Sequence, residues 1–392
     1  MYNEKIYHEI LDTLFNIFTN ENITNIDMYN LQMKLLDYIG ASETEITLKK
    51  QQINTNKSNN SMNSSERKNI KDTLTYEIEL LKKWIIDLKR IGDSLAYHYF
   101  SQYDLKNLAF KQDAGFLSGK TGLIKELEHL KKIFDNGGFA ILNDLTNTIR
   151  YGDISELKNG ELIFHEIKTS KNKNARTKRQ KKSLESVQEL ISNDKIEKFD
   201  GGKTYRKIAI DIREKNYIIE LNEIILEAYK HGNILKQVEE GVLYQVIYGP
   251  NCKNMHMYKD ILKNRNFSLY YMNQYKNSFD YMYTPLINIL SNTQFYIDFL
   301  KGDLLIILYI DKDIIDKKLA EYKLSIVKMD KCYEITGLSE DGNEIKMEIS
   351  SIYYDRIGRN FWSLDYFAYS ISYILKEATA KEILKTTDMT KQ

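Results

Sequence analysis

Three side chains near the middle of the chain have the types and spacing that chemistry requires. Asp153 sits in Ile149-Arg-Tyr-Gly-Asp-Ile-Ser155, and Glu166 and Lys168 follow in Leu162-Ile-Phe-His-Glu-Ile-Lys168. Side chains alternate along a strand, so Glu166 and Lys168 share a face, and a hairpin through Asn159-Gly160 brings Asp153 beside them. Two carboxylates at one place repel unless a hard dication lies between them. Oxygen ligands of this kind suit Mg²⁺, with Mn²⁺ able to substitute. The implied chemistry is phosphodiester hydrolysis, in which the ion stabilises charge on phosphate oxygens and activates water, while Lys168 orients that water or offsets developing charge. The competing reading is the polar face of an ordinary hairpin. It leaves Leu162, Ile163 and Phe164 unexplained, because three consecutive apolar residues indicate a strand covered on both sides. His165 falls on the opposite face from Glu166 and reads as a packed or hydrogen-bonded histidine.

A basic run beside this set argues for the substrate. Between Lys168 and Lys182, eight of fifteen residues are Lys or Arg and none is acidic: after Lys168 come Lys171, Lys173, Arg176, Lys178, Arg179, Lys181 and Lys182. Polyanion binding gains from the release of condensed counterions, and such a run can contact several phosphates. A solvated charge run is the ordinary meaning of a Lys-rich segment, and only the adjacent acids argue otherwise. The net charge of +1, from 56 basic and 55 acidic residues, supplies no global field, so nucleic-acid binding rests on this local concentration. No recognition-helix or zinc-finger pattern is present, so sequence readout is not indicated.

The elements that must position these residues follow from periodicity. A helix is predicted over Thr121 to Phe134, stopped by Asn136-Gly137-Gly138, then strands over Phe139 to Leu142, Asn147 to Leu157 and Glu161 to Thr169. A second helix over Ala175 to Ile191 and a strand over Tyr205 to Ile212 complete an α/β core. Ahead of it, Tyr2 to Gly40 reads as two short amphipathic helices and residues 51–66 as an Asn- and Ser-rich linker. A long helix carrying Leu74, Ile78, Leu81, Ile85 and Leu88 is expected to end near Gly92. Residues 67–235 are then the central domain, and residues 236–392, rich in tyrosine and with strands near 304–310, 323–328, 332–336 and 344–349, are an α+β accessory domain.

With these residues in view, Gly119 to Ile212 resembles the PD-(D/E)XK nuclease superfamily, which includes many restriction endonucleases and archaeal Holliday-junction resolvases. Its first motif matches Gly152-Asp153, with Gly where the family name has Pro, and its second matches Glu166-Ile167-Lys168. The resemblance implies a restriction-endonuclease-like αβββαβ core and an Mg²⁺-dependent endonuclease with DNA favoured over RNA, in a host-defence or DNA-processing setting. It also implies a further metal-site acid on the helix before the first strand, which would be Glu126, and a metal-facing carbonyl from Ile167. The following helix would turn Gln180 toward the site, with Lys178 as competitor. Read without the resemblance, Glu126 is an acid stabilising the positive end of a helix. The nearby Gly115-Phe-Leu-Ser-Gly-Lys-Thr121 falls one glycine short of a phosphate loop and reads as a helix start capped by Ser118 or Thr121.

Composition bounds the alternatives. The chain has 392 residues with 42% hydrophobic side chains, enough for two or three domains with real cores, and two cysteines, Cys252 and Cys332, too few for a disulfide framework. No run approaches the ~18 apolar residues of a membrane helix, and no secretory signal is visible, so a cytoplasmic, membrane-free protein is expected. A homo-oligomer or a protein partner would be engaged through the C-terminal domain. The competing functions are a ribonuclease or toxin with the same site, and a catalytically inactive nucleic-acid-binding or scaffold subunit.

Overall fold

The structure is a computed structural model and describes residues 4–58, 62–105, 116–120, 122–167, 184–189, 191–193, 195–199, 203–206, 208–258, 262–263, 265–276, 283–338 and 342–389. The chain divides into two compact units, Met1–Arg206 and Lys207–Gln392. It is a mixed α/β protein with a helical N-terminus and antiparallel sheets. Among the described residues no helix is long and apolar enough to cross a membrane.

The first unit begins with α1 (Glu4–Thr19), α2 (Asn25–Lys57) and α3 (Ser64–Tyr99). Tyr7, Ile10, Leu11 and Leu14 of α1 and Leu31, Leu35 and Ile39 of α2 are buried at helical spacing, and Tyr7 meets Trp84 of α3 edge to face. The linker expected over 51–66 is mostly helix: residues 51–57 finish α2, and α3 starts at Ser64. Its start is a capping box, in which Asn63 accepts from the Glu66 amide at 2.9 Å and Glu66 accepts from the Asn63 amide at 3.0 Å. Asn and Ser content suggests a loop, yet here it marks a helix terminus. Nor does α3 stop at Gly92; it runs on to Tyr99, and Gly92 serves a close approach described below.

Helix α4 (Leu123–Asp135) packs on β1 (Phe139–Leu142), which pairs antiparallel with β2 (Ile154–Lys158), itself paired with β3 (Glu161–His165) in the order β1-β2-β3. The β2–β3 turn has Asn159 at φ 52° and Gly160 at φ 83°, the two positive angles of a type I′ hairpin. The sheet edges are closed by glutamines. Gln32 donates to the Ala140 carbonyl at 2.8 Å and accepts from the Leu142 amide at 2.9 Å, acting as a short strand on β1. Gln188, in the helical stretch 184–189, does the same on β3 with the Leu162 carbonyl and the Phe164 amide.

Two expectations for the core change. The second strand, expected from Asn147, begins only at Ile154; the amides of Asn147 and Thr148 are given to the Asp93 carboxylate. The last strand, expected over Tyr205 to Ile212, is β5 (Lys203–Arg206); it pairs with β4 (Lys195–Phe199) in a separate two-stranded sheet rather than joining β1–β3.

In the second unit, α5 (Ile218–His231) packs on β6 (Asn233–Glu239) and β7 (Val242–Tyr248) of a four-stranded antiparallel sheet ordered β6-β7-β9-β8, with β8 (Phe267–Tyr271) and β9 (Leu304–Asp311). The domain boundary expected at 235 therefore lies earlier, since Leu221, Ile224, Ile225 and Ala228 of α5 are buried in this unit's core. A second antiparallel sheet, β10 (Ser325–Lys328), β11 (Cys332–Leu338) and β12 (Glu344–Ser350), and the closing helix α6 (Leu364–Met389) complete it. Tyr244, Phe299, Phe361, Trp362 and Phe367 are among its largest buried side chains, so part of the tyrosine-rich composition is core.

Candidate active site

Backbone devices in the first unit bring acids from three places in the chain to one point. The first is Gly92. A Cβ there would lie 2.0 Å from the Leu145 carbonyl oxygen, so only glycine lets α3 pack against the tight turn Asn143–Leu145 that carries Asp144. The second is the next residue, Asp93. Fully buried, its Oδ1 accepts from the amides of Asn147 at 2.9 Å and Thr148 at 2.8 Å, and its Oδ2 accepts from Asn147 Nδ2 at 2.8 Å. Burial, opposed by those hydrogen bonds, raises its pKa to about 6.

The third is the β1–β2 pairing, which continues past the strand ends. The Asn143 amide donates to the Asp153 carbonyl at 2.9 Å, and the Asn143 side chain donates to the Tyr151 carbonyl and accepts from Ser155 Oγ, both at 2.7 Å. Gly152 turns the chain into β2 at φ 71°, where a Cβ would lie 2.9 Å from the His165 carbonyl oxygen. The positive φ and that close approach give the glycine at 152 a steric cause.

The product is a cage of carboxylates around Lys120. Its Nζ lies 2.9 Å from Glu126 Oε2, 2.8 Å from Asp144 Oδ2 and 3.2 Å from Asp153 Oδ1. Burial disfavours the charged amine, but Asp144, Glu126 and Asp153 outweigh it and hold the Lys120 pKa above its ordinary value. Glu126, 1% exposed, is pushed upward by burial and by the Asp153 and Asp144 charges, and Lys120 opposes the shift. The second oxygen of Asp153 accepts from the Ile167 amide at 2.7 Å, tying the strand after the hairpin to the cage.

More charge lies buried around it. Glu43 of α2, 2% exposed, accepts from the Ser118 amide at 2.7 Å and anchors the segment leading to Lys120. Lys89 of α3 is 8% exposed; burial depresses its amine, with Asp144 pulling the other way and Arg150 adding to the depression.

Of the residues nominated from sequence, Glu126 and Asp153 are brought together on one ammonium. Glu166 is exposed, one residue beyond β3 and past the last β2–β3 pair, Ile154 with His165; the Asp153 amide donates to the carbonyl of that same His165 at 2.8 Å. Ile167 contributes its amide to Asp153, the opposite end of the peptide from the carbonyl expected to face a metal. Lys168, Lys171, Lys173, Arg176, Lys178, Arg179, Gln180, Lys181 and Lys182 lie outside the described residues. His165 is hydrogen-bonded, its Nε2 2.7 Å from Glu156 Oε2, and its ring packs near that of His129.

Lys120, Asp144 and Lys89 escaped the sequence reading. Lys120 was visible only inside a stretch resembling a phosphate loop. The helix expected to start there with Ser118 or Thr121 as cap starts instead at Leu123 after Gly122, leaving Lys120 on the approach to it. Asp144 belongs to no motif; its one signal is an acid two residues after a buried strand.

The donor set, three carboxylates, is the hard-oxygen chemistry that Mg²⁺ or Mn²⁺ takes. Among the described residues no group of three or more His, Cys, Asp or Glu side chains stands arranged to hold a metal ion. The three carboxylate oxygens surround a nitrogen at 2.8–3.2 Å, whereas Mg²⁺ holds oxygen at about 2.0–2.1 Å. No family model, no curated protein and no solved structure matches this chain.

Proposed function

We propose that the protein is a metal-dependent nuclease that hydrolyses phosphodiester bonds, with DNA the favoured substrate. The observation that carries this reading is the convergence of Glu126 and Asp153, from a helix and a strand entry, with Asp144 on a single cation position. An ion held there by those three carboxylates would supply charge stabilisation to a phosphate and a more acidic bound water. Asp153 is aimed from both sides, by Lys120 and by the Ile167 amide, so its carboxylate is oriented before any ligand arrives. The basic run from Lys168 to Lys182 would add phosphate contacts.

The test is incubation of purified protein with supercoiled plasmid, linear DNA and RNA in Mg²⁺, with EDTA, Asp153→Ala and Asp144→Ala as controls. The expected result is DNA cleavage abolished by EDTA and reduced at least about 100-fold by each substitution, since each removes a charged ligand of the ion. Loss of RNA alone would turn the reading to a ribonuclease. Cleavage that survives Asp153→Ala would overturn it.

A further inference from the structure

Resting on the reading that Glu126, Asp144 and Asp153 take a divalent ion, we infer that the Lys120 ammonium is the resident cation of that site and that the ion binds by displacing it. An ammonium has three N–H donors, and those of Lys120 face three carboxylates from three elements at 2.8–3.2 Å: helix α4, the turn after β1 and the entry to β2. The same oxygens cannot serve both cations, because a dication needs their lone pairs at shorter range and repels the ammonium strongly at that distance. Charge favours the exchange. Against three carboxylates the ammonium leaves two negative charges uncompensated, and a dication leaves one.

The structure also gives the amine a way out. Lys120 precedes α4, where its backbone is tied by the hydrogen bonds Lys120 N–H to the Leu117 carbonyl and Leu123 N–H to the Lys120 carbonyl, and its side chain is 29% exposed while Glu126 is 2% exposed. The chain can therefore hold its place while the long side chain swings to water. Departure of the ammonium would let the carboxylates close by about 1 Å, from the 2.8–3.2 Å they keep to Lys120 to metal radius. The cage is thus a switch: ion-paired and closed to phosphate without metal, opened when the ion replaces the amine.

The experiment titrates Mn²⁺, followed by electron paramagnetic resonance, into wild type, Lys120→Met and Asp153→Ala. In parallel, wild-type Lys120 is labelled with an amine-acylating reagent and read by peptide mass with and without saturating Mn²⁺. Displacement requires Lys120→Met to bind Mn²⁺ about tenfold or more tightly than wild type, the competitor being gone. It also requires Lys120 labelling to rise several-fold when Mn²⁺ saturates. Equal Mn²⁺ affinities with Lys120 labelling unmoved would overturn the inference and make Lys120 a permanent clamp, leaving the metal reading intact. If wild type and Lys120→Met bind Mn²⁺ no better than Asp153→Ala, the metal reading itself fails. Should Lys120→Met not fold, the wild-type labelling alone decides between displacement and clamp.

Discussion

Gly92→Ala puts the positioning of the site under the most direct test. The added Cβ would stand 2.0 Å from the Leu145 carbonyl oxygen, and real contacts of this kind begin near 3.0 Å, so the Asn143–Leu145 turn must retreat by about 1 Å. Asp144 rides on that turn. A retreat of this size stretches its 2.8 Å contact with Lys120 to about 3.8 Å, past hydrogen-bond range. Stability should fall by up to about 2 kcal/mol, because overpacking costs about 1–3 kcal/mol and alanine returns roughly 1 kcal/mol over glycine inside a helix. Activity should change far more: a misplacement of about 1 Å in a reacting constellation costs on the order of 100-fold in rate. The assay is the initial rate of plasmid nicking at saturating Mg²⁺, measured beside a thermal melt. Gly40→Ala in α2 is the control, since a Cβ there meets nothing within 4 Å; it should raise stability by about 1 kcal/mol and leave the rate unchanged. A Gly92→Ala protein that melts normally and cleaves within about threefold of wild type would refute the claim that α3 holds Asp144 in the site.

Further outcomes follow from the same geometry. Gly152→Ala should lose about 1–2 kcal/mol in denaturant unfolding from its positive φ alone, and more from contact with the His165 carbonyl; a loss below about 0.5 kcal/mol would contradict it. Gln32→Ala leaves the buried Ala140 carbonyl and Leu142 amide without their partner and should destabilise by about 2–5 kcal/mol, read by urea unfolding. Asp93 has its folded pKa raised to about 6 from 3.8, so the native state holds the proton more tightly and Asp93 stabilises less as pH climbs from about 4 through 6. Asp93→Asn, which lacks this titration and keeps an oxygen for both amides, should gain on wild type by up to roughly 3 kcal/mol between pH 4 and 7. A flat difference across that range would show that Asp93 is not carrying its charge in a buried place.

What could be read from sequence was local. The Asn159-Gly160 turn sets its own backbone angles, β1 is a short apolar run with a glycine stop before it, and the apolar stripe of α4 repeats at 3.6 residues; each signal needs only neighbours along the chain. Asp153 and Glu126 were nominated by motif spacing, which is also a one-dimensional property. Where local rules compete, the sequence misleads. Asn63-Ser-Ser-Glu66 looked like linker and is a capping box, and Gly92 looked like a helix stop.

The cage itself belonged to tertiary structure. Lys120, Asp144 and Asp153 share no periodicity, and nothing along the chain says that one ammonium will face all three acids. That outcome depends on α3 approaching the Asn143–Leu145 turn closely enough to demand glycine, on Asp93 holding the amides of Asn147 and Thr148, and on the Glu43 carboxylate anchoring Ser118. Side-chain charges attract over a few ångströms whatever their separation in sequence, so which of them meet is decided only when the backbone packs.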